Sequence, residues 1–182
     1  MTEFRAAPIA PVRELVIVGA GATGRRLAER AARAGYSTVL QDLLPSSRLR
    51  AVTALRAEVE DAGGDPAPVL ANIRMSGSLD EALAAADLVI ETTPDELESK
   101  HEMFTLLDRM APRYAILVAV TALPLDSFSD VTCREESCVA VRLDLDADRA
   151  VIAAHAAMPP AMLARVAEVF DRLGFNAGSN IA

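Results

Sequence analysis

Six residues near the start of the chain, Gly19-Ala20-Gly21-Ala22-Thr23-Gly24, have types and spacing that suit one kind of chemistry. In a G-x-G-x-x-G turn the first glycine permits a tight corner, the second leaves the backbone bare, and the third lets a helix pack closely on a strand. A helix that starts there presents unpaired N–H groups and a partial positive charge, which suit a diphosphate. Asp42 lies 18 residues beyond Gly24. A carboxylate at that spacing accepts hydrogen bonds from an adenosine ribose and repels a 2′-phosphate, which favours NAD over NADP. Gly19, Gly21, Ala22, Thr23, Gly24 and Asp42 are therefore candidate cofactor-binding residues. Arg25 and Arg26 stand out beside them. Cations in a helix's first turn oppose its dipole, so they read either as solvated surface or as a lure for phosphate.

The elements around this turn agree with it. Residues 15–18 form a short, β-branched apolar run, read as a buried parallel strand. A helix is expected over 25–34, stopped by Gly35, and a second strand over 38–40. Further on, a helix is expected over 48–62 and a loop through Gly63, Gly64, Pro66 and Pro68. A brief strand follows at 73–75, and a capped short helix runs from Ser78 to Ala86. Residues 87–91 are a clear strand leading into Thr92-Thr93-Pro94, a loop at a strand's carboxyl end, where open α/β sheets hold ligands. Thr93 and Pro94 join the cofactor candidates on that ground. A helix over 96–110, a strand over 115–120, a short helix over 124–128, strands from 139 and over 149–154, and a helix over 162–173 complete the pattern. Strands alternating with helices predict an α/β fold. It is a Rossmann-type, doubly wound, mostly parallel sheet with helices on both faces. Residues 1–13, with Pro8 and Pro11, read as an extended lead-in, and 14–182 as one domain.

Composition narrows the function classes. The 182 residues carry a net charge of −8, with pI about 4.8 and no basic stripe, which argues against nucleic acid as a partner. No apolar run approaches the ~20 residues of a membrane span, and the first residues lack a signal-peptide core, so a cytoplasmic protein is expected. Cys133 and Cys138 have no histidine nearby in sequence and read as free thiols rather than metal ligands. His101 and His155 sit in no ligand motif.

The stretch DLVIETTPDELESKHEMFTLLDRMAP, beginning at Asp87, resembles the middle of the NAD-binding domain of the 3-hydroxyacyl-CoA dehydrogenases. The GAGATG turn and the VLQD strand end also match that family's GAG-x-MG and V-x-D. The resemblance runs from 14 to 173, close as far as residue 120 and poorer beyond. It implies NAD as cofactor, with Lys100 near the nicotinamide half and Asp95 in place of a family glutamate. It also implies departures. The family's S-N-T-S-S becomes Ala119-Val120-Thr121-Ala122-Leu123, with Val120 replacing an asparagine and Ala122 a substrate-binding serine. Its H-F-F-N-P becomes Val141-Arg142-Leu143-Asp144-Leu145, with Arg142, or Leu143, on the general base. Arginine stays protonated and leucine does not titrate, so neither can take the hydroxyl proton. The chain is expected to stop where the family's helical second domain would start.

Three readings follow. The first is an NAD-binding domain without the family's usual catalysis. The second is an oxidoreductase with altered chemistry, drawing on Asp95, Lys100, Thr121 and Arg142. There Arg142 would grip a carboxylate, and Lys100 or Asp95 would move the proton. The third is a remnant whose sheet edge and 162–173 helix are covered by a second copy or by a partner protein, with ordinary packing against the sheet as its alternative.

Overall fold

The computed structural model describes residues 11–181; the first ten positions of the expected lead-in lie outside the described residues. Strand β1 (Glu14–Val18) is the hub of the sheet, because the chain winds outward from it in both directions. On one side come α1 (Ala22–Arg33), β2 (Ser37–Gln41), α2 (Pro45–Asp61), α3 (Pro66–Ala71) and β3 (Ile73–Ser76). The chain crosses back through α4 (Leu79–Leu83), which packs on β2 and β3, and on the other side lie β4 (Leu88–Glu91), α5 (Leu97–Met110), β5 (Ile116–Val120), α6 (Asp126–Ser129) and β6 (Cys138–Asp144). The chain then adds β7 (Arg149–Ala154), α7 (Pro160–Arg172) and β8 (Asn176–Ile181). The described residues form an eight-stranded sheet of order β3-β2-β1-β4-β5-β6-β7-β8. The reversal of direction between β1 and β4 is the switch point at which such sheets open a ligand crevice.

Alternation along the strands builds two apolar layers. Leu15 and Ile17 face one side, with Leu27, Leu55 and Phe170 from α1, α2 and α7. Val16 and Val18 face the other, with Leu83, Phe104 and Phe128 from α4, α5 and α6. The apolar face of α7 is thus buried within the chain. Val166, Val169 and Phe170 pack in the first layer, and Phe170 stacks at a tilt on Phe175 (6.1 Å between centroids). Of the two readings of this helix, its burial favours ordinary packing against the sheet.

Two further expectations change and one strand is new, each for a local reason. Residues 66–71 form a helix rather than a loop. Asp65 accepts a hydrogen bond from the Ala67 N–H (2.9 Å), and Pro66 and Pro68 fall in the first turn, where a missing N–H is harmless. The strand pair β6–β7 is antiparallel, since residues 145–148 are a tight turn too short for a crossover. Asp144 fastens that turn by accepting from the N–H groups of Asp146 (3.2 Å) and Ala147 (3.0 Å). Strand β8 had no expectation at all. Its sequence, NAGSNI, is small and polar, and it forms by extending β7 in parallel register.

The carboxyl end of α5 is closed by one distant side chain. Arg134 donates to the carbonyls of Leu107 (2.9 Å), Ala111 (3.3 Å) and Pro112 (2.6 Å) and to the carboxylate of Asp108 (3.0 Å). It thereby satisfies acceptors that every helix leaves open. Cys138 lies against this knot, and burial pushes its thiol up to about 11. A thiol held protonated in the fold and free to ionise when unfolded favours the fold only while it keeps its proton. The contribution is complete below the ordinary thiol value near 9 and fades as pH rises towards 11. Melting curves at pH 8 to 11 should show an alkaline loss about 2–3 kcal/mol larger in the native chain than in Cys138→Ala, which keeps only the loss that the buried Tyr36 phenol contributes.

Candidate functional site

The glycine turn follows β1 directly. Gly19 has φ +101°, a region that favours glycine, and donates its N–H to the Gln41 carbonyl (2.8 Å). Thr92, at the end of β4, aims its hydroxyl at the carbonyls of Val18 (2.9 Å) and Gly19 (3.1 Å). A Cβ on Gly24 would lie 1.9 Å from the Gly19 carbonyl oxygen, so only glycine lets α1 sit this close to the strand end. Gly21 differs from both. It is the N-cap residue in extended conformation, and a Cβ there would meet nothing within 4 Å. No side-chain hydrogen bond caps α1, and its first turn carries no acid. The bare corner and the uncapped N–H groups leave room and unsatisfied donors for a diphosphate, so the residues present fit a dinucleotide.

Asp42 follows β2 by one residue and is fastened on both oxygens. Oδ2 accepts from the Ala20 N–H (3.1 Å) and Oδ1 from the Leu44 N–H (3.0 Å). These bonds fix the carboxylate between the two strand-end turns and still leave lone pairs for a ribose. Gly19, Gly21, Asp42, Thr93 and Pro94 line one cleft of about 990 Å³, whose far wall is the Thr53–Ala54–Ala57 face of α2. Through Thr92, Thr93 and Pro94 it adjoins a smaller cleft of about 370 Å³. Thr23, Asp95, Thr121 and Arg142 line that second space.

The smaller cleft therefore gathers three of the four catalytic candidates. Asp95 is committed to holding the loops together: it accepts from the Thr121 hydroxyl and from the Ala122 N–H (2.9 Å). Arg142 is exposed and donates only to the Ala122 carbonyl (3.3 Å) among the described residues. The fourth candidate is placed elsewhere. Lys100 is fully buried and lines neither cleft. Its ammonium donates to Glu91 Oε2 (2.5 Å), the Thr93 carbonyl (3.1 Å) and the Val120 carbonyl (3.5 Å), which occupies all three protons. These bonds set the ammonium beneath the loop that carries Thr93, apart from the lining of either cleft. Ala22 is exposed at the start of α1 and Gly24 is buried beneath it, so neither forms a cleft wall.

The residue that sequence reasoning missed is Glu91. Fully buried at the end of β4, it accepts from the Thr93 N–H (2.6 Å), from the Thr93 hydroxyl and from Lys100. An acid closing an otherwise apolar strand, nine residues before a lysine, was the available signal. The two histidines lie outside both clefts. His101 donates from Nε2 to the Ser127 carbonyl (2.5 Å), and His155 bonds Ser129 through Nε2 (2.9 Å) with Asp126 at 3.5 Å. Among the described residues no group of His, Cys, Asp and Glu could hold a metal ion, and no helix is long and apolar enough to cross a membrane.

Known proteins share this architecture. Residues 14–172 match the family model of the 3-hydroxyacyl-CoA dehydrogenase NAD-binding domain. A probable 3-hydroxybutyryl-CoA dehydrogenase of Bacillus subtilis is 32% identical over 136 residues, 70% of this chain and 47% of the relative. An L-carnitine dehydrogenase of Nocardiopsis dassonvillei is 31% identical over 125 residues, 67% of this chain and 38% of the relative. The chain thus spans less than half the length of these relatives. Among solved structures, the 3-hydroxybutyryl-CoA dehydrogenase of Escherichia coli superimposes with TM-score 0.87 at 21% identity. That match covers 94% of this chain and 39% of the other, and it bears on the fold alone. With its switch-point cleft, its glycine corner and a family match over nearly its whole length, the chain belongs to the 3-hydroxyacyl-CoA dehydrogenase family, as an NAD-binding domain.

Proposed function

We propose that the chain binds NAD or NADH without carrying out the family's usual hydroxyacyl-CoA dehydrogenation. The diphosphate lies on the uncapped start of α1 at Gly21, the adenosine ribose on Asp42, and the nicotinamide end towards Thr93, Pro94 and the smaller cleft. Bound there, the cofactor supplies hydride exchange. The protein's own residues order the site. Asp95 ties the β4 and β5 loops together, and the buried Glu91–Lys100 pair holds the Thr93 backbone in place. The observation that carries the reading is the lining of the smaller cleft: one arginine, four threonines and an aspartate already bonded to Thr121 and Ala122, with no imidazole among the described residues. Loss of a general base typically costs ~10²–10⁴-fold in rate. Such a protein serves a partner or follows the NADH level of the cytoplasm.

One observation favours a second reading, that of a working oxidoreductase. Among the described residues Arg142 commits only one guanidinium nitrogen, to the Ala122 carbonyl, and at the cleft a fork of N–H groups matches a small carboxylate. NADH titration followed by nicotinamide fluorescence tests the binding, and a flat titration up to millimolar cofactor removes both readings. NAD reduction is then assayed with 3-hydroxybutyryl-CoA and with small 3-hydroxy acids. No turnover is expected; turnover on a free acid that disappears in Arg142→Gln establishes the second reading.

A further inference from the structure

The two arginines that follow the glycine turn, Arg25 and Arg26, part company in the structure. Arg26 reaches the Leu145 carbonyl (3.4 Å), away from the dinucleotide cleft. Arg25 lines that cleft beside Gly19, Gly21 and Asp42. Its guanidinium is held by Glu58 of α2, with Nη2 at 3.0 Å and Nε at 3.4 Å from Oε1. The pair is unevenly satisfied. Oε2 of Glu58 is buried without a partner among the described residues, although the side chain as a whole is 38% exposed. An unsatisfied buried oxygen weakens an ion pair's net worth. Partial exposure of both partners also lets the pair open without bringing a bare charge into the core.

We propose that Arg25 is a ligand of the dinucleotide's diphosphate, and that Glu58 competes for its guanidinium whenever that anion is away. The inference rests on the reading that NAD or NADH occupies this cleft. A cation near the start of α1 opposes the helix dipole, and an anion docked there reverses the sign of that effect. Guanidinium offers paired N–H donors that match phosphate oxygens as well as they match a carboxylate. Exchange of Glu58 for diphosphate therefore replaces one charge-assisted contact with another. It also frees α2, whose Thr53–Ala54–Ala57 face forms the opposite wall, from its tie to α1.

Calorimetry on the purified chain and on Arg25→Gln, Glu58→Gln and the double variant tests this, with NADH, coenzyme A and adenosine as probes. Arg25→Gln should weaken NADH by ~10-fold, the loss of one charge-assisted hydrogen bond. Glu58→Gln should tighten NADH by ~3-fold, and the double variant should follow Arg25→Gln, because Glu58 acts through Arg25 alone. Adenosine, which lacks phosphate, should bind all four proteins alike. Equal NADH affinity in Arg25→Gln and the native chain overturns the assignment. So does weaker NADH binding in Glu58→Gln, since a purely structural pair behaves that way. Dependence on Arg25 for coenzyme A but not for NADH moves the contact to another ligand and also overturns it. Absence of NADH binding in all four proteins removes the underlying cofactor reading instead.

Discussion

Lys100→Met should destabilise the fold by about 3–5 kcal/mol, because it strands a carboxylate that has no access to water. Glu91 is fully buried, and apart from Lys100 its described partners are the N–H and hydroxyl of Thr93. For a chain of this size that corresponds to a fall in Tm of roughly 6–20 °C. Glu91→Gln placed on top of Lys100→Met should recover most of the loss, since an amide at 91 can still accept from the Thr93 N–H and carries no charge. The double variant should also bind NADH within ~3-fold of the native chain, as expected of two residues that support the loop from below. Thermal melts and NADH titrations of the three proteins decide the matter. A stable Lys100→Met that has lost NADH would put the ammonium in the cleft, contrary to its position here.

The second large effect divides the glycine motif into parts with opposite consequences. Gly24→Ala forces a Cβ to within 1.9 Å of the Gly19 carbonyl oxygen, a backbone atom that cannot swing aside as a side chain would. The helix must move away, at a cost near the upper end of the ~1–3 kcal/mol typical of overpacking. NADH affinity should fall with it, because the N–H groups at the start of α1 shift from the corner. Gly21→Ser should behave in the reverse manner. Its backbone is extended, nothing crowds its Cβ, and serine is a good N-cap. Stability should rise by about 0.5–1 kcal/mol, partly through the unfolded chain. The new hydroxyl then satisfies an N–H meant for phosphate and fills its place, so NADH affinity should drop by ~10–100-fold, or about 1.4–2.7 kcal/mol. Unfolding curves paired with NADH titrations read both signs; a Gly21→Ser that binds as the native chain does would take the diphosphate off this corner.

Much of this architecture is written in local patterns. The apolar run at 15–18, the glycine spacing and Asp42 specify the first βαβ unit without reference to the rest of the chain, and the structure puts Gly19, Gly21 and Asp42 on one cleft. Strand β8 escapes such reading because its six residues have neither alternation nor β-branched bulk until the last; its pairing is imposed by α7 returning the chain alongside β7. The helix at 66–71 was hidden by its prolines, which signal a break in mid-helix and a beginning in a first turn. The burial of Lys100 was illegible for a different reason. A lysine is assumed to face solvent or ligand, and only the tertiary fold reveals the acid at 91 beneath the same loop. Asp95, Thr121 and Arg142 are already grouped as candidates for one site, and the smaller cleft brings those three together from separate strand ends; Lys100, grouped with them, lies outside its lining.

Thr92 wedges its side chain between Gly19 and Gly24: its hydroxyl oxygen lies 2.9 and 3.0 Å from where their Cβ atoms would stand. Descendants of this chain therefore inherit the three positions as a block, whatever becomes of their trade. Trimming Thr92 to serine gives Gly24 no freedom, because its obstacle is the neighbouring carbonyl at 1.9 Å. A lineage that abandoned nucleotides would go on displaying most of the glycine signature, as a fossil kept by packing. Position 21, which the fold leaves unconstrained, would be the first to wander, and a survey of close kin should look there to separate living sites from relics.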